Sequence, residues 1–148
     1  MTARTRTGGA AARAGGAAAL ALTGLAGLHA YWARGGLWPG HDPASLGETV
    51  VGPGAELPPS PAVWAVAGLL GASAAAVATT TALREPPGLA RTMTRVTGGV
   101  LLARGVGGIP LSLINGLDTR FGRLDVLLYS PLCVALSCGA VLADRSAQ

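Results

Sequence analysis

The sequence predicts an all-α fold, a bundle of four transmembrane helices, and the placement of its few charges predicts it most directly. The chain has 148 residues, of which 50% are hydrophobic and 12% charged. No Asp, Glu, Lys or Arg falls within 14–33, 58–83 or 126–143. A water-soluble helix needs a polar face, and none of these runs has one. At 1.5 Å rise per residue, runs of roughly 18 to 26 residues cross a hydrocarbon core of about 30 Å. A fourth run, 96–117, is interrupted only by Arg104.

Taken in order, the expected spans are 14–33, 62–83, 96–117 and 124–143, within a single integral membrane domain over 1–148. Span one follows Arg4, Arg6 and Arg13, a pattern shared with secretory signal peptides. Its apolar part continues through Leu28 to Trp32, longer than a signal's core, so it is expected to be retained as a span. No two arginines are adjacent, which argues against a twin-arginine signal. Gly24 and Gly27, among many alanines, allow close helix contact in lipid.

The segment 35–61 is the longest connection and carries Pro39, Pro43, Pro53, Pro58, Pro59 and Pro61. Proline and glycine at that density interrupt regular structure, although residues 44–48 suit a helical turn. Span two stops at Arg84, Glu85, Pro86 and Pro87. Gly107, Gly108 and Pro110 make span three the one expected to bend. A polar loop over 118–123 leads into span four, and the short connections make spans two, three and four antiparallel neighbours.

The net charge of +4 at pH 7 is an orientation signal. Four spans put Arg4, Arg6, Arg13, Arg84, Arg91, Arg95 and Arg145 on one side and Arg34, Arg120 and Arg123 on the other. The positive-inside rule then places both termini in the cytoplasm and the proline-rich loop outside. The absence of lysine beside abundant Ala, Gly and Arg suits a GC-rich bacterial genome, and hence the cytoplasmic membrane. Nucleic acid is not an expected partner, because the arginines neither cluster on a soluble helix nor alternate with stacking aromatics. The expected surroundings are the lipid bilayer and either a partner membrane protein or further copies of the chain.

Polar residues concentrate at the outer end. Span one closes on His29, Tyr31 and Trp32, and spans three and four meet around Asp118, Arg120 and Asp125. Along span four, Asp125, Tyr129, Cys133 and Ser137 recur every four residues, which predicts a polar seam facing the bundle. A mid-membrane charge costs about 2.5 to 3.5 kcal/mol on insertion scales, so Arg104 needs a partner or a use. It is expected to point inward, toward His29, Tyr129 or an acid. The candidate polar pocket is therefore His29, Tyr31, Trp32, Arg104, Asp118, Arg120, Asp125, Tyr129 and Cys133.

Each of these residues also has a bland explanation. Arg104 could clamp helices, His29 could hydrogen-bond within the bundle, and Tyr31, Trp32 and Trp38 could belong to an interfacial aromatic belt. Cys133 and Cys138 lie on one helix and point apart, which disfavours a disulfide. Two His, two Cys and scattered acids lack the spacing of a metal site. No cofactor motif is present either.

The paired ends of spans one and four resemble a known family. His29, Tyr31, Trp32, Gly35, Gly36 and Trp38 fit an H-x-Y-W-x-x-G-G-x-W opening, and Leu124, Asp125, Tyr129, Ser130, Pro131, Leu132 and Cys133 fit an L-D-x-x-x-Y-S-P-L-C close. With Arg104 in the third span, the chain is similar to the bacterial domain of unknown function 3995 family. That resemblance implies a small four-span membrane protein and no assigned activity. The proline-rich loop and the glycine-rich third span depart from the family pattern.

Two classes of function remain open on the sequence. One is a structural, partner or accessory subunit, which needs only the spans, their packing and their topology. The other is a membrane-embedded enzyme or carrier with an outer-leaflet pocket, in which Arg104 holds an anion, Asp125 or His29 exchanges a proton and Tyr129 positions the ligand.

Overall fold

A computed structural model of the chain describes residues 2–147, without the side chains of residues 2–8 and of Asn115. Arg4 and Arg6, two of the charges in the orientation argument, thus lie outside the described side chains. The described residues form five helices: α1 (Thr2–Ala33), α2 (Pro43–Val50), α3 (Ser60–Ala82), α4 (Gly88–Asn115) and α5 (Arg120–Ser146). Four of them, all but α2, are long and apolar enough to cross a membrane. Both α4 and α5 begin before the expected spans, because residues 88–96 and Arg120–Leu124 continue the helix through polar residues.

The four long helices close into a ring in the order α1, α3, α4, α5. α1 packs on α3 and α5, and α4 packs on α5 and α3. The α1–α3 contact is as much a part of the bundle as those joined by short connections, although 26 residues separate the two helices. Its core is built from small residues: Ala18, Ala19 and Leu22 of α1, Ala74 and Val77 of α3, and Leu136, Ala140 and Ala143 of α5. Alanine at these positions lets backbones approach closely, which is how helices gain contact where lipid supplies no hydrophobic drive. Between α3 and α4 the contacts are partly polar, with Thr80 and Thr94 hydroxyls 3.0 Å apart and Thr97 donating to Ser73 at 3.0 Å.

The connection from α1 to α3 is ordered by local chemistry. α1 ends in a Schellman turn: Gly36 N–H donates to the Tyr31 carbonyl at 3.0 Å and Gly35 N–H to that of Trp32 at 2.9 Å. Gly35 has φ of 90°, in the left-handed region that favours glycine, and a side chain on Gly36 would collide with the Tyr31 ring. Trp32 Nε1 donates to the Trp38 carbonyl at 2.7 Å, fastening the chain as it leaves the turn. The aromatic opening motif thus builds a corner, beyond any contact with an interface.

α2 starts at a reciprocal cap, where Ser45 N–H donates to Asp42 Oδ1 at 2.7 Å and Asp42 N–H donates to Ser45 Oγ at 3.1 Å. The Ser45 amide on the Asp42 carboxylate holds its pKa below the ordinary value near 3.8. α2 buries Leu46, Gly47 and Thr49 and rests against the first turns of α5. The helical turn expected over 44–48 is accordingly a two-turn helix.

Candidate functional site

Arg104 finds its partner in an acid. α4 presents Arg104, Gly108 and Ser112 at four-residue intervals on one face, and α5 meets them with Asp125 and Ser130. Arg104 Nη2 donates to Asp125 Oδ1 at 2.5 Å, and Nη1 donates to Ser130 Oγ at 3.3 Å. Asp125 Oδ2 accepts from Ser112 Oγ at 2.7 Å and from Ser130 Oγ at 3.2 Å. Asp125 is only 1% exposed, so an unpaired carboxylate here would be severely penalised. Three donors around it offset that desolvation.

Gly108 lies at the crossing. A Cβ there would meet Arg104 Nη1, Ser130 Oγ and Asp125 Oδ2, so the absence of a side chain is what lets the ion pair bridge the helices.

Ser130 reaches this network because α5 changes pitch. It is π-helical over Asp125–Tyr129, with Ser130 N–H donating to the Asp125 carbonyl, and α-helical again over Ser130–Ser146. Pro131 supplies the physical reason: in a regular α-helix its ring would strike the Leu127 carbonyl, and a wider turn relieves that clash. The extra residue breaks the four-residue seam expected from the sequence. Asp125 is followed on the buried face by Ser130 and Ser137, while Tyr129 and Cys133 are only half-buried.

Tyr129 turns away from Arg104 and toward α2. Its hydroxyl donates to the Thr49 carbonyl at 3.2 Å, and its ring lies 6.1 Å from that of Phe121. His29 is occupied elsewhere: Nδ1 bonds the Leu25 carbonyl at 2.8 Å and the ring stands edge-on to Trp32 at 4.9 Å. Tyr31 and Trp32 belong to the corner after α1. Asp118 and Arg120 are exposed and form no ion pair among the described residues. Of the nine residues in the expected pocket, then, only Arg104 and Asp125 bond one another.

Sequence reasoning passed over Ser112 and Asp144, and took Gly108 only as a source of a bend. Ser112 was open to detection, lying two helical steps of four from Arg104. A second clamp lies at the far end of the same seam, where Arg95 Nε donates to Asp144 Oδ2 at 3.0 Å and Arg91 Nε to Oδ1 at 3.4 Å. Midway, Ser137 Oγ donates to the Gly98 carbonyl at 2.8 Å. Ser130, Ser137 and Asp144 recur every seven residues, and they fasten α5 to α4 at three levels.

Arg104 also has an open side. Its side chain is 43% exposed and lines a cleft of about 580 Å³ together with Gly107, Leu111, Phe121, Val51 and Pro53. Two of its five N–H donors are used on Asp125 and Ser130. Among the described residues, no group of three His, Cys, Asp or Glu side chains is placed to hold a metal.

A ring of four membrane-length apolar helices, two of them clasped by an arginine–aspartate pair, defines an integral membrane helical bundle. Within that class, the chain belongs to the family described as protein of unknown function (DUF3995), whose model matches residues 22–140. The match takes in both end motifs, Arg104 and Asp125. No curated protein and no solved structure matches the chain.

Proposed function

We propose that the protein is a single-domain, four-span component of the bacterial cytoplasmic membrane that acts as a structural or accessory partner. Both termini face the cytoplasm in this reading, and α2 lies on the outer surface. The orientation rests on sequence order, in which seven arginines fall on one side of the four spans and three on the other. Its neighbours are lipid and either another membrane protein or a second copy of the chain.

The observation that supports an accessory role is the closed bonding around Asp125. Both carboxylate oxygens are taken up by Arg104, Ser112 and Ser130. A buried carboxylate satisfied in this way fastens two helices, and its charge is used in holding α4 to α5. A general base or proton carrier would need an oxygen open to its substrate.

The test sizes the tagged protein after mild extraction from its own membranes and follows its thermal unfolding. The reading expects an assembly larger than one chain. It also expects the charge-free pair Arg104→Met with Asp125→Leu to keep that size. A wild type that runs as a single chain and is stabilised by a small anion contradicts it. A second reading has the open side of Arg104 in its favour: the cleft of about 580 Å³ would hold a small anion, as in a carrier or enzyme. Loss of that stabilisation in Arg104→Met would support it.

A further inference from the structure

At the end of the bundle remote from Arg104, residues of α4 and α5 line a surface groove of about 410 Å³. Gly99, Leu102 and Val141 are among its apolar lining, and Arg95 and Arg145 stand with Asp144 toward the helix ends. The groove opens outward on the bundle, where the hydrocarbon of a bilayer would lie. Its polar end falls near the ends of the helices, with Arg145 one residue from the last of α5.

Charge at the mouth is unbalanced. Asp144 is only 12% exposed and is already bonded by Arg91 and Arg95. Arg95 remains 55% exposed, and Arg145 is exposed and makes no ion pair among the described residues. Among the described residues, Arg95, Arg145 and Asp144 are the charged groups that line the groove, an excess of one positive charge beside a largely apolar slot, and Arg91 bonds the same carboxylate from beside it. From Arg95 to Leu102 the groove runs about 10 Å along the helix axis, the depth of the first several methylenes of an acyl chain.

We infer that this groove is a binding site for an anionic phospholipid, with the headgroup phosphate between Arg95 and Arg145 and one acyl chain along Gly99, Leu102 and Val141. The complementarity is of two kinds at once. Guanidinium groups suit phosphate oxygens through paired N–H donors, and the two hydroxyls that line the slot, Thr94 and Ser137, are already bonded to Thr80 and to the Gly98 carbonyl. Basic pockets between transmembrane helices hold acidic headgroups by the same physics. The site is independent of the Arg104 cleft and of the accessory reading, since it lies at the opposite end and shares none of its lining.

The test uses the full chain, delipidated in a neutral detergent and then given phosphatidylglycerol, phosphatidylcholine or inorganic phosphate. Thermal unfolding and native mass spectrometry of retained lipid are the readouts. Two variants probe the halves of the site. Arg145→Gln removes a headgroup contact, and Gly99→Leu fills the slot from a position whose Cβ has nothing within 4 Å, so the fold is left intact. Phosphatidylglycerol is expected to raise the melting temperature and to remain bound, with neither phosphatidylcholine nor phosphate doing so. Arg145→Gln should weaken its binding about fivefold, and Gly99→Leu should abolish retention.

Equal stabilisation by phosphatidylcholine would overturn the inference in favour of ordinary annular lipid. Stabilisation by inorganic phosphate alone would overturn it in favour of a free-anion site. Retention of phosphatidylglycerol by Gly99→Leu at wild-type strength would show that the slot is not where the lipid lies.

Discussion

Asp125 is the residue whose environment leaves least freedom. Its carboxylate has lost almost all contact with solvent and depends on Arg104, Ser112 and Ser130 for compensation. Asp125→Asn keeps the shape but removes the charge, leaving the guanidinium opposite a neutral amide. Breaking one side of a buried pair costs about 3 to 5 kcal/mol, a figure to be reduced here because Arg104 is 43% exposed. We expect the melting temperature of Asp125→Asn to fall well below that of Ser112→Ala, which loses one hydrogen bond worth about 1 kcal/mol or somewhat more to a charged acceptor. Equal melting temperatures would mean that the pair does not hold the helices. Glycine provides a second contrast between adjacent positions. Gly107→Ala points into open space and gains up to about 1 kcal/mol of helix propensity, whereas Gly108→Ala meets the ion pair itself. Thermal unfolding should therefore place the two variants on opposite sides of wild type.

The same contrast appears among the helices, where α2 is tied to the bundle by few bonds and the long helices by many. Tyr129→Phe removes the hydroxyl bonded to the Thr49 carbonyl and should raise hydrogen exchange across 43–50 with little change in the melting of the spans. Acid should act on the same helix. The Asp42 carboxyl is held below its ordinary pKa, so its capping contribution is complete above about pH 4 and is lost as pH falls through the lower folded value. Exchange over 43–50 should rise in that window before the spans respond; unchanged exchange would mean the cap does not order α2. The long helices were legible because charge-free runs of membrane length admit one interpretation. The π turn was not, because four-residue periodicity assumes constant pitch and Pro131 alters it. That single widened turn took Tyr129 to α2 and brought Ser130 to Asp125. In the 35–61 segment only a turn of α2 was legible, because proline density pointed away from a longer helix although Pro43 stands at a first-turn position that helices accept.

Across the whole molecule, the ring α1, α3, α4, α5 joins one largely apolar pair of helices to one fastened by charge. α1 meets α3 and α5 through alanines, and α4 meets α5 through two ion-paired clamps at opposite ends of a seam. Arginines that the sequence offered only as topology markers include Arg91 and Arg95, whose second role depends on Asp144, 49 residues further on from Arg95. Such distant pairing leaves no periodic trace in a chain. The presence of a clamp for Arg104 was foreseeable from the cost of a lone charge in lipid, but Asp125 was one of several possible partners. The proposed orientation predicts that a fluorescent protein fused to the C-terminus will be active and an alkaline phosphatase at the same point inactive; the reverse pattern would invert the topology. The central claim, that Arg104 and Asp125 act together as a helix clamp, is tested most directly by a double-mutant cycle on thermal stability in a single detergent. Arg104→Met and Asp125→Leu should each lower the melting temperature, and the two together should recover most of the loss, because no uncompensated buried charge remains. Strictly additive losses would contradict the clamp and return Arg104 to its cleft.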